Sequence, residues 1–193
     1  MANLFKTKTP NRNASDAIDF EVTVKDYAKF KRELKAFDSG LRKSMDKEIR
    51  DSLKPIAEKA KAKVPVSPMR NWRKAKKPRG EWGDRLAWDQ SVVKKGIKVR
   101  QGGKRKRGSA TVAAWRIAND SAPGAVFEVA GKKDAGGTLS RRAFIANLSL
   151  AGGRPSRLIW SAWDEANGEQ QITQNVKEIV HKYEAILQAS LNK

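Results

Sequence analysis

The sequence predicts an α+β fold, with long amphipathic helices packed on a small antiparallel sheet, extended basic loops and an N-terminal arm. Three observations carry this. From Val24 to Pro65 the apolar residues Tyr27, Phe30, Leu34, Phe37, Leu41, Met45, Ile49, Leu53, Ile56, Ala60 and Val64 recur three or four apart, the period of one helical face. From Glu169 onward Ile172, Val176, Ile179, Val180, Tyr183, Ile186, Leu187 and Leu191 repeat that spacing, so residues 169–193 read as a second long amphipathic helix. Between the two, Ser91–Arg100 and Ser109–Ala118 are rich in Val, Ile, Thr and Trp, the composition of strands.

Taken in order, residues 1–17 are polar and carry Pro10, three Asn and no periodicity, which predicts a flexible arm; residues 18–193 then form a single domain. Phe20, Val22 and Val24 alternate with Glu21, Thr23 and Lys25, the pattern of a half-buried strand. Asp26 suits a helix N-cap, and Asp38-Ser39-Gly40 interrupts the stripe with turn residues. A short helix to about Phe37 and a long one from about Leu41 to Lys63 follow, the latter roughly 35 Å long at about 1.5 Å per residue. Pro55 is its candidate kink.

Residues 66–84 have neither helix nor strand period. They hold Pro68, Pro78, Gly80 and Gly83, six cations between Arg70 and Arg79, and both Trp72 and Trp82. A structureless loop of this length inside a compact domain is usually functional or disordered, and indoles argue against disorder. The strand-like runs then flank Gln101–Gly108, which reads as a glycine-bounded hairpin tip bearing Lys104, Arg105, Lys106 and Arg107. Ala125–Ala130 reads as a third strand of a meander, and 132–142 as a polar loop. Ala143–Leu150 is apolar but too short to classify. Gly152-Gly153-Arg154-Pro155 precedes a helix from about Ser156 to Ala166, which Asn167-Gly168 ends.

The 193 residues are enough for one domain with a real core. With 41 Lys plus Arg against 21 Asp plus Glu, the net charge of +20 implies attraction to something acidic: nucleic acid, a membrane surface or an acidic protein. The absence of cysteine excludes disulfides and thiolate metal sites. No run approaches the roughly 18 apolar residues of a membrane span and the N-terminus lacks an apolar leader, so the protein is expected to be soluble when made, with no membrane partner.

The chemistry of an enzyme is missing from the sequence. The one histidine, His181, lies between apolar positions of the last helix, and no Ser or carboxylate stands where a triad needs it. Glu128 and Lys132 have the flavour of a nuclease pair but lack the further carboxylates a catalytic metal requires. The glycine clusters match no phosphate-binding pattern. No catalytic residue, metal ligand or cofactor is therefore expected. Trp88, Trp115, Trp160 and Trp163 lie in patterned elements and read as core. Trp72 and Trp82, with Arg70, Arg73, Lys76 and Lys77 around them, form a candidate partner interface, since Trp and Arg dominate interface hot spots. Lys104, Arg105, Lys106 and Arg107 are the candidate contact for DNA or an acidic surface.

Three stretches resemble the neck or tail-completion (head-tail connector) family of long-tailed bacteriophages. The cationic amphipathic helix LRKSMDKEIRDSLKPIAEKAKAKVPV (Leu41–Val66) is similar to the family's helix that ends in an Ala/Lys-rich turn and a Pro. PGAVFEVAG (Pro123–Gly131) resembles its strand with an aromatic, a Glu and a Gly. GRPSRLIWSAWDEA (Gly153–Ala166) looks like the Pro-x-Arg start of its C-terminal helical part. The Thr-Gly-x-Leu common in the family after the helix Pro is replaced here by SPMRNWRKAKKPRGEWGDRLAW. The resemblance implies a non-enzymatic virion protein in the neck, made in the host cytoplasm. It also implies a homo-oligomeric ring around the DNA channel, with other connector and tail proteins, and phage DNA, as partners. The rival class is a basic nonspecific DNA-binding protein that forms no ring; no RNP or KH signature supports RNA.

Overall fold

The computed structural model describes residues 5–8, 18–24, 27–69, 72, 86–101, 105–107, 110–130, 139–152 and 157–191. The first amphipathic stripe forms two helices, α1 (Tyr27–Phe37) and α2 (Ser39–Ala62). Asp38 ends one and begins the other: its extended backbone and a side-chain oxygen accepting from Gly40 N make it the N-cap of α2, so Ser39 and Gly40 lie inside the helix rather than in a turn. Pro55 sits within α2, exposed, and the helix continues to Ala62. The buried side of α2 is Met45, Ile49, Leu53, Ile56, Ala57 and Ala60. At about 1.5–3 kcal/mol for each large apolar side chain removed from water, the four large residues alone supply a gross stabilisation of roughly 6–12 kcal/mol.

The sheet is antiparallel, in the order β1 (Phe5–Lys8), β2 (Ile18–Val24), β5 (Ala110–Asn119), β3 (Ile97–Gln101), with β4 (Arg105–Arg107) also pairing with β5. The long strand β5 is central. Its Ala113–Ile117 pair with β2, its Trp115–Asn119 with β3 and its Ala110–Val112 with β4. Phe5–Lys8, expected in the arm, instead add an edge strand, with Phe5 opposite Val24 and Lys8 opposite Glu21. The rest of the arm, and the candidate cap Asp26, lie outside the described residues.

Helix α2 contacts β3 and β5 of the sheet and also α6 (Ile159–Glu165) and α7 (Gly168–Leu191), so both layers attach to it, while α1 crosses β5. The α+β class read from the sequence is the observed one. Trp88, Trp115, Trp160 and Trp163 all lie in the core, as their patterned surroundings imply.

Two element assignments differ from expectation, and a third segment, unclassifiable from its sequence, is helical. Ser91–Gly96, read as the start of a strand, belongs to helix α3 (Gln90–Gly96), because the Asp89 carboxylate accepts from Ser91 N and Val92 N and nucleates a turn. Ala125–Ala130, read as a strand, lies almost wholly in helix α4 (Ala122–Val129), opened by the Ser121 hydroxyl accepting from Gly124 N with Pro123 in the first turn. The sheet is therefore no three-strand meander. Ala143–Leu150 belongs to helix α5 (Leu139–Gly152). Short apolar runs do not distinguish strand from buried helix by periodicity, and here the caps decide.

Candidate functional site

The basic loop after α2 is rooted in the subunit's own core. Past Val64 the chain is held by Trp88, whose indole Nε1 donates to Pro65 O at 3.1 Å, and by Gln90, whose side chain donates to Val64 O at 2.9 Å. Trp72 then ties the two ends of the loop together: its carbonyl accepts from Trp88 N at 2.7 Å, and its Nε1 donates to Leu86 O at 2.7 Å. Its ring packs 5.2 Å from Trp88, 6.4 Å from Phe127 and edge-on to Phe144 at 5.4 Å. Trp72, expected to be kept off the subunit's own core by the cations around it in sequence, instead packs against that core, where its ring meets Trp88, Phe127 and Phe144. Arg70, Arg73, Lys76, Lys77 and Trp82 lie outside the described residues.

The second basic cluster is also built differently from expectation. Arg105, Lys106 and Arg107 form strand β4, opposite Val112, Thr111 and Ala110, so they belong to the ladder rather than to a loose hairpin tip; Lys104 lies outside the described residues. The pairing of β2 with β5 stops at Ala113, β2 itself continues beside β1 to Val24, and Ala110–Val112 of β5 pair with β4. Between Gln101↔Trp115 and Arg105↔Val112 the register slips by one residue.

The root of the basic loop and strand β4 lie toward opposite ends of β5. The loop root lies at the Asn119 end of β5, where α3 and α4 meet the sheet. There Asn119 donates to Val93 O at 3.4 Å and accepts from Ser121 N and Oγ at 3.0 and 2.6 Å. A Cβ on Gly124 would stand 2.2 Å from Asn119 Nδ2, which is why this crossing demands glycine. Strand β4 pairs at the opposite end of β5, whose length is about 30 Å at ~3.4 Å per residue.

The charge is unevenly placed. Residues 66–109 hold 15 Lys and Arg against 3 Asp and Glu, a net +12 of the chain's +20. On the helices, by contrast, cations meet carboxylates: Lys31 with Asp46 at 2.6 Å, Lys54 with Asp51 at 2.8 Å, Lys61 with Glu58 at 2.7 Å and Lys182 with Glu48 at 2.9 Å. Such exposed pairs stabilise little but neutralise the surface locally. The hydrogen bond from Lys182 holds the Glu48 carboxyl below its ordinary pKa; burial, with Glu48 alongside, pushes the Tyr183 hydroxyl up to about 12. Lys98 and Arg100 at the sheet edge share Asp120.

Sequence reasoning missed one buried polar arrangement. Glu128, fully buried on α4, accepts from Leu158 N at 2.7 Å and from Trp160 N at 3.3 Å and so caps the start of α6. In return Arg157 NH1 donates to Phe127 O at 2.7 Å and Ala130 O at 3.1 Å, closing the end of α4, and its guanidinium stands 5.5 Å over the Phe127 ring. Burial lowers the Arg157 pKa and the Glu128 charge opposes that shift. The signal was a lone carboxylate in the apolar run Ala125–Ala130. Glu128 thus works as a structural cap for backbone N–H groups. His181 is exposed beside Glu184 at 3.2 Å, and no group of His, Cys, Asp and Glu among the described residues is arranged to hold a metal ion.

Among the described residues no helix is long and apolar enough to cross a membrane. No protein-family model, curated protein or solved structure matches the chain.

Proposed function

We propose that this chain is a structural virion protein: one subunit of a ring in the head-tail connector (neck or tail completion) of a long-tailed bacteriophage, joining the portal side of the capsid to the tail around the DNA channel. The observation that carries the reading is the distribution of charge. Residues 66–109 carry +12 of the chain's +20, and within them the root of the basic loop and the cationic strand β4 lie toward opposite ends of β5, which suits a subunit that meets partners in two places, neighbouring rings at one and the DNA in the channel at the other. The likeness in sequence supports it at Leu41–Val66 and Gly153–Ala166; Pro123–Gly131 supports it less, because most of that stretch is helical here. The protein is non-enzymatic and cofactor-free, its partners are further copies of itself, other connector and tail proteins and phage DNA, and its place is the neck of the virion.

The test is the mass of the purified chain by light scattering, alone and mixed with tail components, together with particle incorporation of Trp82→Ser. A ring or a tail-bound species that the variant cannot form is the expected result. A chain that stays monomeric or dimeric in every mixture, never enters particles and binds duplex DNA with a steep salt dependence establishes the rival reading, a basic nonspecific DNA-binding protein, which the +20 net charge favours.

A further inference from the structure

We infer that the outward face of helix α5, carrying Ala143, Ala146 and Leu150, is a docking surface for an acidic protein that receives the helix in an apolar groove. The partner's identity, a neighbouring head-side or tail-side component, rests on the connector reading.

Helix α5 is little used by its own subunit. Among the described residues no helix or strand packs along it; Leu148 reaches the core, and the half-buried Phe144 stands edge-on to Trp72 at 5.4 Å. A helix of 14 residues is marginal in water without tertiary support, so this anchoring is thin. At about 100° per residue, Phe144, Ile145 and Leu148 fall on one side. The opposite side has Ala143, Ala146 and Leu150 along its middle, with Arg142 and Ser149 on one flank and Asn147 on the other, all exposed. Leu150 is 86% exposed, more than any other large apolar residue described. A face turned to water is polar at its middle, whereas an apolar middle between polar flanks is the anatomy of an interface.

Charge and area select the occupant. No acidic residue occurs between Asp134 and Asp164, whereas Arg141, Arg142 and Arg154 do, so the helix is presented in a positive field. A second copy of the chain brings its own +20 and is repelled. A flat contact on three residues also falls far short of the ~800 Å² per partner of a stable protein pair, while a groove that wraps the helix takes its flanks as well. A bilayer gains little from one leucine among alanines, and the phosphate walls of a duplex offer Leu150 no apolar floor. A groove with an apolar floor and carboxylates at its rim meets both demands.

The experiment uses the full-length chain and, as probes, heads and tails of the same phage assembled in its absence, with bound chain read by co-sedimentation over a concentration series. Ala146→Glu/Leu150→Glu keeps good helix formers and makes the face acidic. Both positions are exposed, so its melting temperature should match wild type, while its affinity for heads or tails falls at least ~10-fold. The control Ala185→Glu/Ala189→Glu adds the same charge at exposed positions of α7 and should bind as wild type does. Unchanged binding by the α5 variant overturns the docking surface and leaves the connector reading standing. An equal loss in the control means general charge repulsion and overturns it too. The neutral Ala146→Gln/Leu150→Gln is expected to lose less than the Glu pair; equal losses overturn the acidic character of the groove. A wild-type chain that binds neither heads nor tails removes the connector reading and this partner with it. Self-association, or binding to phosphatidylglycerol vesicles, that the α5 variant alone loses makes the occupant a second copy or a bilayer and overturns the proposal. Should the Glu variant melt differently, Leu150→Cys decides, since the chain has no other thiol: heads or tails should block maleimide labelling at position 150, and unaltered labelling of the bound chain overturns the docking surface.

Discussion

Replacing Glu128 by Gln tests the interlock that joins α4 to α6. The carboxylate is fully buried and satisfies two backbone donors, Leu158 N at 2.7 Å and Trp160 N at 3.3 Å. Gln offers one oxygen in place of two, so one of those N–H groups is left facing an NH2, at about 1–3 kcal/mol for a buried unsatisfied donor. The remaining bond also loses its charge assistance, and the buried Arg157 loses the Glu128 charge that opposes its desolvation. Removing one partner of a buried charged arrangement costs about 3–5 kcal/mol. Taken together, a destabilisation of about 4 kcal/mol is expected. At 2–4 °C per kcal/mol for a domain of this size, the melting temperature should fall by roughly 8–16 °C. Urea denaturation of Glu128→Gln, Arg157→Met and the double variant is the assay. Because both side chains serve one junction, the double variant should lose less than the sum of the singles, by at least ~0.5 kcal/mol. A melting temperature within about 2 °C of wild type, or strict additivity in the cycle, would sink the account of Glu128 as a cap that Arg157 completes.

Three other outcomes follow from the packing. Leu53→Asp places an unpaired carboxylate on the buried side of α2, at a cost of several kcal/mol, and should give insoluble or non-cooperatively melting protein; a soluble, sharply melting variant means that this side of the helix is not core. Trp72→Ser removes a ring packed on Trp88 and Phe144 along with the Nε1 bond to Leu86 O, so about 2 kcal/mol of stability should disappear in denaturant titration, whereas an indole held only for partners would leave the midpoint in place. Tyr183 has a folded pKa raised from 10.0 to about 12, so its contribution to stability is fully present below pH 10 and is lost as pH rises toward 12, where the unfolded chain ionises first. Tyr183→Phe should therefore reduce the fall in melting temperature between pH 9 and pH 11.5, and an unaltered fall assigns it to other groups.

The sequence by itself determined the two long helices, the α+β class and the burial of Trp88, Trp115, Trp160 and Trp163, because amphipathic periodicity over many turns is a local record of which side is buried. It also determined that residues 66–109 carry +12 of the net +20. Tertiary structure decided the rest, and the reason differs from place to place. Ala125–Ala130 and Ser91–Gly96 are too short for periodicity to separate helix from strand, and the caps at Ser121 and Asp89 settle them only once the chain around Asn119 is assembled. Trp72 looks like an exposed indole in a basic loop until Trp88, Phe127 and Phe144, far apart in sequence, converge on it. Nothing local marks Glu128 as a helix cap, because the N–H groups it serves are 30 and 32 residues away. Strand order likewise decided where the root of the basic loop lies: β5 pairs with β4 at its Ala110 end, and the loop root packs toward its Asn119 end, because long-range pairing and not local sequence sets both positions.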